Sequence, residues 1–172
     1  MHKNEIVGVE IERKYIIKMP DTNLLRGLSS YTESRILQIY LPSEKGETRR
    51  IRRREYIDRT VCTETKKVRI DHMSSTETER EISPDEFDIL AKNIKEGTNP
   101  INKTRFTFKY EGQTFEIDVY PEWKRTAIME TELDSREKQV KIPAFLEIVR
   151  EVTGEKAYSN ASMSRIFPEE DQ

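Results

Sequence analysis

At 172 residues the chain is long enough to bury one sizeable core, and it reads as a single domain over 1–172. Lys and Arg number 30 against 32 Asp and Glu, a net charge of −2, which excludes a uniform field for gripping a polyanion or an acidic membrane. No run approaches the roughly 18 apolar residues of a membrane helix, and the N-terminus carries no apolar leader, so a cytoplasmic protein is expected.

Residues 6–18 read as the first strand. Within it Glu10, Glu12 and Lys14 share one face, while Val9, Ile11 and Tyr15 take the other. Two carboxylates and an ammonium in file repel or attract strongly at strand spacing. They call for solvent, basic neighbours or a divalent cation. Asp21 is placed to cap a short helix over Thr22–Leu28. Residues 35–41 predict a second strand ended by Pro42, and 48–55 a third. The run Arg49–Arg54 resembles a nucleic-acid patch, but strand alternation divides its arginines between two faces, and few aromatics accompany it.

Residues 60–70 make a fourth strand, in which either Lys66 or Lys67 points with the charged face, since a one-residue slip flips every side chain. A fifth strand over 76–82 runs into Ser83-Pro84-Asp85-Glu86, a capping box with proline at the first helical position. Phe87, Leu90, Ala91 and Ile94 follow at helical spacing until Gly97. Strands six to eight are expected over 103–110, 114–120 and 126–133, with a tight turn at Glu111-Gly112. A second helix is predicted to begin near Ser135 or Pro143, with Phe145, Ile148, Val149 and Val152 as its apolar stripe. A short helix around Ala157–Met163 ends the chain.

The charged alternation recurs at Glu79-x-Glu81, Glu116-x-Asp118 and Glu130-x-Glu132, and with basic residues at Arg50-x-Arg52 and Lys103-x-Arg105. An open sheet would turn these charges to water. A closed barrel with helices over its apolar outside would instead line its lumen with them, which suits a highly charged ligand. The lone Cys62 permits no internal disulfide, and His2 and His72 are too isolated for a histidine metal site.

Glu10-x-Glu12-x-Lys14 resembles the N-terminal signature of the CYTH superfamily, the triphosphate tunnel metalloenzymes. The resemblance extends through the pairs above to Lys156-Ala157-Tyr158-Ser159-Asn160 and so covers nearly the whole chain. It implies an α+β fold, a closed eight-stranded antiparallel β-barrel with helices packed outside. It implies that Glu10, Glu12, Glu81, Asp118, Glu130 and Glu132 hold one or two Mg²⁺ or Mn²⁺ ions. Arg50, Arg52, Lys67, Lys103, Arg105, Lys14 and Lys156 would bind the substrate, with Lys66 the alternative to Lys67, which the family's Thr-x-Lys element favours. Lys14, Glu10 and Glu12 would take part in catalysis, with Glu79 and Glu116 in support. The activity implied is hydrolysis of the terminal phosphate of tripolyphosphate or a nucleoside triphosphate. A class IV adenylyl cyclase and a thiamine triphosphatase, with Trp123 as its aromatic platform, are the alternatives within the family. A polyphosphate-binding module without catalysis is the alternative outside it. Homodimers are frequent in the family.

Overall fold

The computed structural model describes residues 5–171, so His2 lies outside it. In chain order it contains β1 (Glu5–Lys18), α1 (Thr22–Arg26), β2 (Thr32–Leu41), β3 (Glu47–Glu55), β4 (Thr60–Arg69) and β5 (Ser74–Ile82). Next come α2 (Pro84–Ala91), β6 (Ile101–Tyr110), β7 (Gln113–Val119), β8 (Thr126–Glu132), β9 (Ile148–Glu151) and α3 (Asn160–Met163).

Eight strands close in the order β1-β5-β4-β3-β2-β6-β7-β8, every neighbouring pair antiparallel, and β9 is an addition outside the ring. The closure depends on the length of β1. Its first half pairs with β5, from Glu5 opposite Arg80 to Ile11 opposite Ser74, and its second half pairs with β8, from Glu12 opposite Glu132 to Lys18 opposite Thr126. One strand thus joins both ends of the sheet and leaves the ring without an open seam.

The apolar phase faces outward. Phe106, Phe108, Phe115, Ile117 and Met129 form one outer core with Leu25 of α1 and Leu146. Ile39, Leu41, Ile51, Cys62 and Ile82 form another beneath Phe87 of α2. Both helices begin where the sequence signals them. Asp21 accepts from the backbone amides of Asn23 and Leu24, and Ser83 accepts from that of Glu86. The turn between β6 and β7 takes positive φ at both Glu111 and Gly112, as a two-residue hairpin requires.

Two predicted elements are corrected. The helix after Ser83 ends at Ala91, short of Gly97, and Ile94 is not part of it. There the backbone amide of Lys95 donates to the carbonyl of Tyr40, a tertiary bond that competes with another helical turn. The helix expected after Ser135 or Pro143 is absent. Residues 133–147 run irregularly, and Ile148–Glu151 forms β9 against Tyr15–Ile17 of β1. On that edge β1 extends past its pairing with β5, so its backbone groups need partners, and the β-branched pair Ile148-Val149 suits a strand. No helix among the described residues is long and apolar enough to cross a membrane.

The chain after β9 folds back under the barrel. Ile16, Tyr40, Ile101, Tyr120 and Ile128 point inward at that end and pack with Val152, Tyr158 and Met163, so this end is plugged by an apolar floor. The turn into the plug depends on Gly154, whose φ is +74°, where a Cβ would meet Cβ of His72 at 2.8 Å. Gly154→Ala is expected to cost about 1–3 kcal/mol, read as a lowered melting temperature.

Candidate functional site

The inward phase of the barrel encloses a cavity of about 760 Å³ whose walls carry opposite charge. The basic wall comes from β3, β4 and β6, where strand alternation aims Arg50, Arg52, Arg54, Lys67 and Arg105 at the lumen. Arg52 is only 8% exposed, and its nearest carboxylate, Glu79, stands 3.8 Å away. Burial, then the neighbouring guanidiniums of Arg50, Arg105 and Arg54, bring its pKa down to about 9. The Nε atoms of both Arg50 and Arg52 are buried without a hydrogen-bond partner. Buried guanidinium donors without partners suit an anionic ligand.

The acidic wall comes from β1, β5 and β8. Burial, then Glu77, push Glu10 up to about 8, and the two side chains hydrogen-bond to each other. Glu12 is raised to about 6, first by Glu130 and then by burial. Glu132 is raised too, by burial and by Glu116. Glu130 goes the other way: burial opposes its ionisation, but Lys14 draws its pKa down to about 2. Lys14 Nζ lies 3.1 Å from Glu130 Oε1 and donates to the Tyr158 carbonyl at 3.1 Å, so burial fails to neutralise it and its pKa rises. Lys67 Nζ bridges the walls, 3.1 Å from Glu77 and 3.9 Å from Glu10.

A scan against family models and a search of curated proteins return no match. Among solved structures, the inorganic triphosphatase NE1496 aligns over 92% of this chain and 96% of its own, with 26% identity and a TM-score of 0.59. A second structure of NE1496 gives 26% identity and a TM-score of 0.58 over 92% of this chain and 99% of the other. The PH1819 protein of Pyrococcus horikoshii OT3 shares the fold, at 24% identity and a TM-score of 0.57, over 74% of this chain and 80% of that one. The closed eight-stranded barrel is the CYTH-like fold, and the chain is similar to this triphosphatase over nearly its whole length.

Most of the CYTH-type positions read from the sequence come together in the tunnel. Glu10, Glu12, Lys14, Glu130 and Glu132 line one side, Arg50, Arg52, Lys67 and Arg105 the other, and Lys156 stands at a mouth beside the plug. Five expected positions lie elsewhere. Lys66 points outward and is exposed, because the register of β4 gives the lumen to Lys67. Glu81 shares the inward phase but is exposed near the end of β5, past the cavity wall. Asp118 and Lys103 are buried against each other at 2.8 Å and do not line the cavity. Trp123 is committed to the apolar floor, where its indole donates to the Pro168 carbonyl, so it offers no platform to a ligand in the tunnel.

Glu77, Arg54 and Tyr40 also line the cavity, outside the motifs that the sequence singles out. The phase of Glu79 and Glu81 carried one step back finds Glu77, and that of Arg50 and Arg52 carried one step on finds Arg54. The basic run is divided as strand geometry demands. Outside the barrel, Arg49 pairs with Glu64 at 2.6 Å and Arg53 lies over the ring of Phe87.

The carboxylates fit a divalent cation. They are oxygen donors crowded until three of them resist ionisation, the charge deficit that Mg²⁺ or Mn²⁺ fills. Among the described residues no three acidic, His or Cys side chains are preassembled around one metal position. Raised carboxyl pKa values mean that the folded chain holds protons its unfolded form releases, so stability falls as pH rises from about 4.5 towards 8. The metal-free protein should therefore melt lower at pH 8 than at pH 5.5, by roughly 5 °C. Millimolar Mn²⁺ should recover most of that loss. Calorimetric scans at the two pH values check both statements.

Proposed function

We propose that the tunnel binds a triphosphate together with a divalent cation and hydrolyses its terminal phosphoanhydride bond. The observation that carries this reading is the pairing of two unmet charges within one cavity. Arg50 and Arg52 have carboxylates no nearer than 3.9 and 3.8 Å and a buried Nε each without a partner, opposite carboxyls that resist ionisation. A phosphate chain alone would satisfy the first wall and be repelled by the second. A metal–phosphate complex satisfies both. The name of NE1496, an inorganic triphosphatase, agrees with this.

Glu10, Glu12, Glu130 and Glu132 are the residues proposed to hold the cation. When bound, it supplies Lewis-acid stabilisation of phosphate oxygens and acidifies water. Arg50, Arg52 and Arg105 present planar forks that match phosphate oxygens, and Lys67 supplies a compact charge between the two walls. Gripped along the basic wall, the chain holds its terminal phosphorus in line with an attacking water. The water oxygen bonds to that phosphorus as the bridging P–O bond breaks, and pyrophosphate leaves with its charge facing the guanidiniums. A carboxylate of the acidic wall, Glu12 in this reading, accepts the water proton. Lys14 stays charged, holding Glu130 ionised and in place.

Tripolyphosphate is the favoured substrate. Tyr40 and His72 are the aromatic side chains lining the cavity among the described residues, and the Tyr40 hydroxyl already accepts from the Gln38 amide at 3.0 Å. That leaves little for an adenine or thiamine ring to stack on. Product analysis tests the reading. Tripolyphosphate should yield orthophosphate and pyrophosphate, and ATP, if turned over, ADP and orthophosphate. Cyclic AMP and pyrophosphate from ATP would instead identify a cyclase.

A further inference from the structure

We infer that Asp118 is a positioning residue for Arg105 and not a ligand for the cation, an assignment that rests on the triphosphate reading above. Arg105 of β6 and Asp118 of β7 are direct cross-strand partners, so the register of the hairpin brings them together. The contact is side-on and double: Nε donates to Oδ1 at 2.7 Å and Nη2 to Oδ2 at 2.8 Å. Nη1 donates to Glu116 Oε2 at 2.6 Å. A guanidinium has five N–H donors, so one remains on each terminal nitrogen for a ligand in the cavity that Arg105 lines. The two carboxylates thereby fix both the plane of the fork and the direction of its free donors.

Asp118 itself is poorly placed to meet a cation. Its side chain is 2% exposed, and Oδ2 also takes Lys103 Nζ at 2.8 Å. A metal ion would face two positive side chains already within bonding distance of the same carboxylate. Lys103 is buried in turn, 3.4 Å from Asn160 Oδ1, which also accepts from the hydroxyl of Tyr120 at 3.0 Å. It supplies the second positive charge that makes a buried Asp118 tolerable and ties this cluster to α3.

The test separates anion grip from metal grip. Tripolyphosphate affinity is measured by titration calorimetry in EDTA, and Mn²⁺ affinity is measured on phosphate-free protein. Asp118→Asn keeps the shape but loses the charge, and it should weaken tripolyphosphate about tenfold while moving Mn²⁺ affinity by less than about twofold. A tenfold loss of Mn²⁺ affinity would overturn the assignment, whether or not anion affinity fell with it. Arg105→Lys, which keeps the charge and cannot form the double contact, guards against misfolding of the first variant. The double variant should bind tripolyphosphate within about twofold of Arg105→Lys alone, because one residue acts through the other. Additive losses would overturn the inference. Wild-type protein that binds tripolyphosphate neither in EDTA nor with Mn²⁺ would remove this inference together with the functional reading, whereas wild-type binding that Asp118→Asn leaves intact would remove this inference alone.

Discussion

Replacing Arg52 with methionine is expected to abolish turnover and, at the same time, to make the ligand-free protein more stable. The guanidinium is 8% exposed, faces three others and has an orphaned Nε, so the fold holds it at a cost. Methionine fills a similar volume without charge. Glu79, released from its 3.8 Å partner, keeps the hydroxyl of Thr65 at 2.9 Å. The melting temperature should rise by roughly 2–4 °C for each kcal/mol recovered. Tripolyphosphate hydrolysis should fall by about 10²–10³, because a fork that both binds and orients the transferring group is gone. Thermal melts and initial rates on one preparation check the two halves. A fall in both stability and activity would mean that Arg52 is a structural residue.

The second large effect is expected at Glu12. Glu12→Gln removes one of the crowded charges and the proposed proton acceptor together, so activity should drop by about 10²–10⁴. The metal concentration for half-maximal activity should rise as well. Binding of tripolyphosphate in EDTA should not weaken, since the carboxylate repels a free anion. Glu96→Gln, exposed beyond the end of α2, should match wild type in each assay. A Glu12 variant with ordinary turnover would remove the acidic wall from the mechanism.

Much of this molecule was legible in its residues because strand alternation is unforgiving. Once Ile117 is outside, Glu116 and Asp118 must be inside, and the same logic placed Glu10, Glu12, Glu130, Arg50 and Arg52. The capping box at Ser83 was equally plain, since its hydrogen bond lies within four residues. What failed depended on distant partners. Ile148, Val149 and Val152 carry a helical spacing, and only the bare edge of β1, far away in sequence, makes a strand of them. Inward phase also says nothing of depth. Glu81 and Glu77 share it, yet one ends exposed beside the barrel and the other lines the cavity. Nor does phase tell which inward carboxylate meets a ligand and which is consumed by neighbours. Asp118 looks like Glu116 in the sequence and differs from it in the fold because both Lys103 and Arg105 reach it.

In the proposed mechanism two opposed walls of charge hold a metal–triphosphate complex for hydrolysis. Its most direct test is orthophosphate release from tripolyphosphate with Mg²⁺ or Mn²⁺, repeated in excess EDTA and again after the metal is restored. Equal amounts of orthophosphate and pyrophosphate are expected, none in EDTA, and full recovery when metal exceeds chelator. Turnover undiminished in EDTA, or no release with either metal, would contradict it.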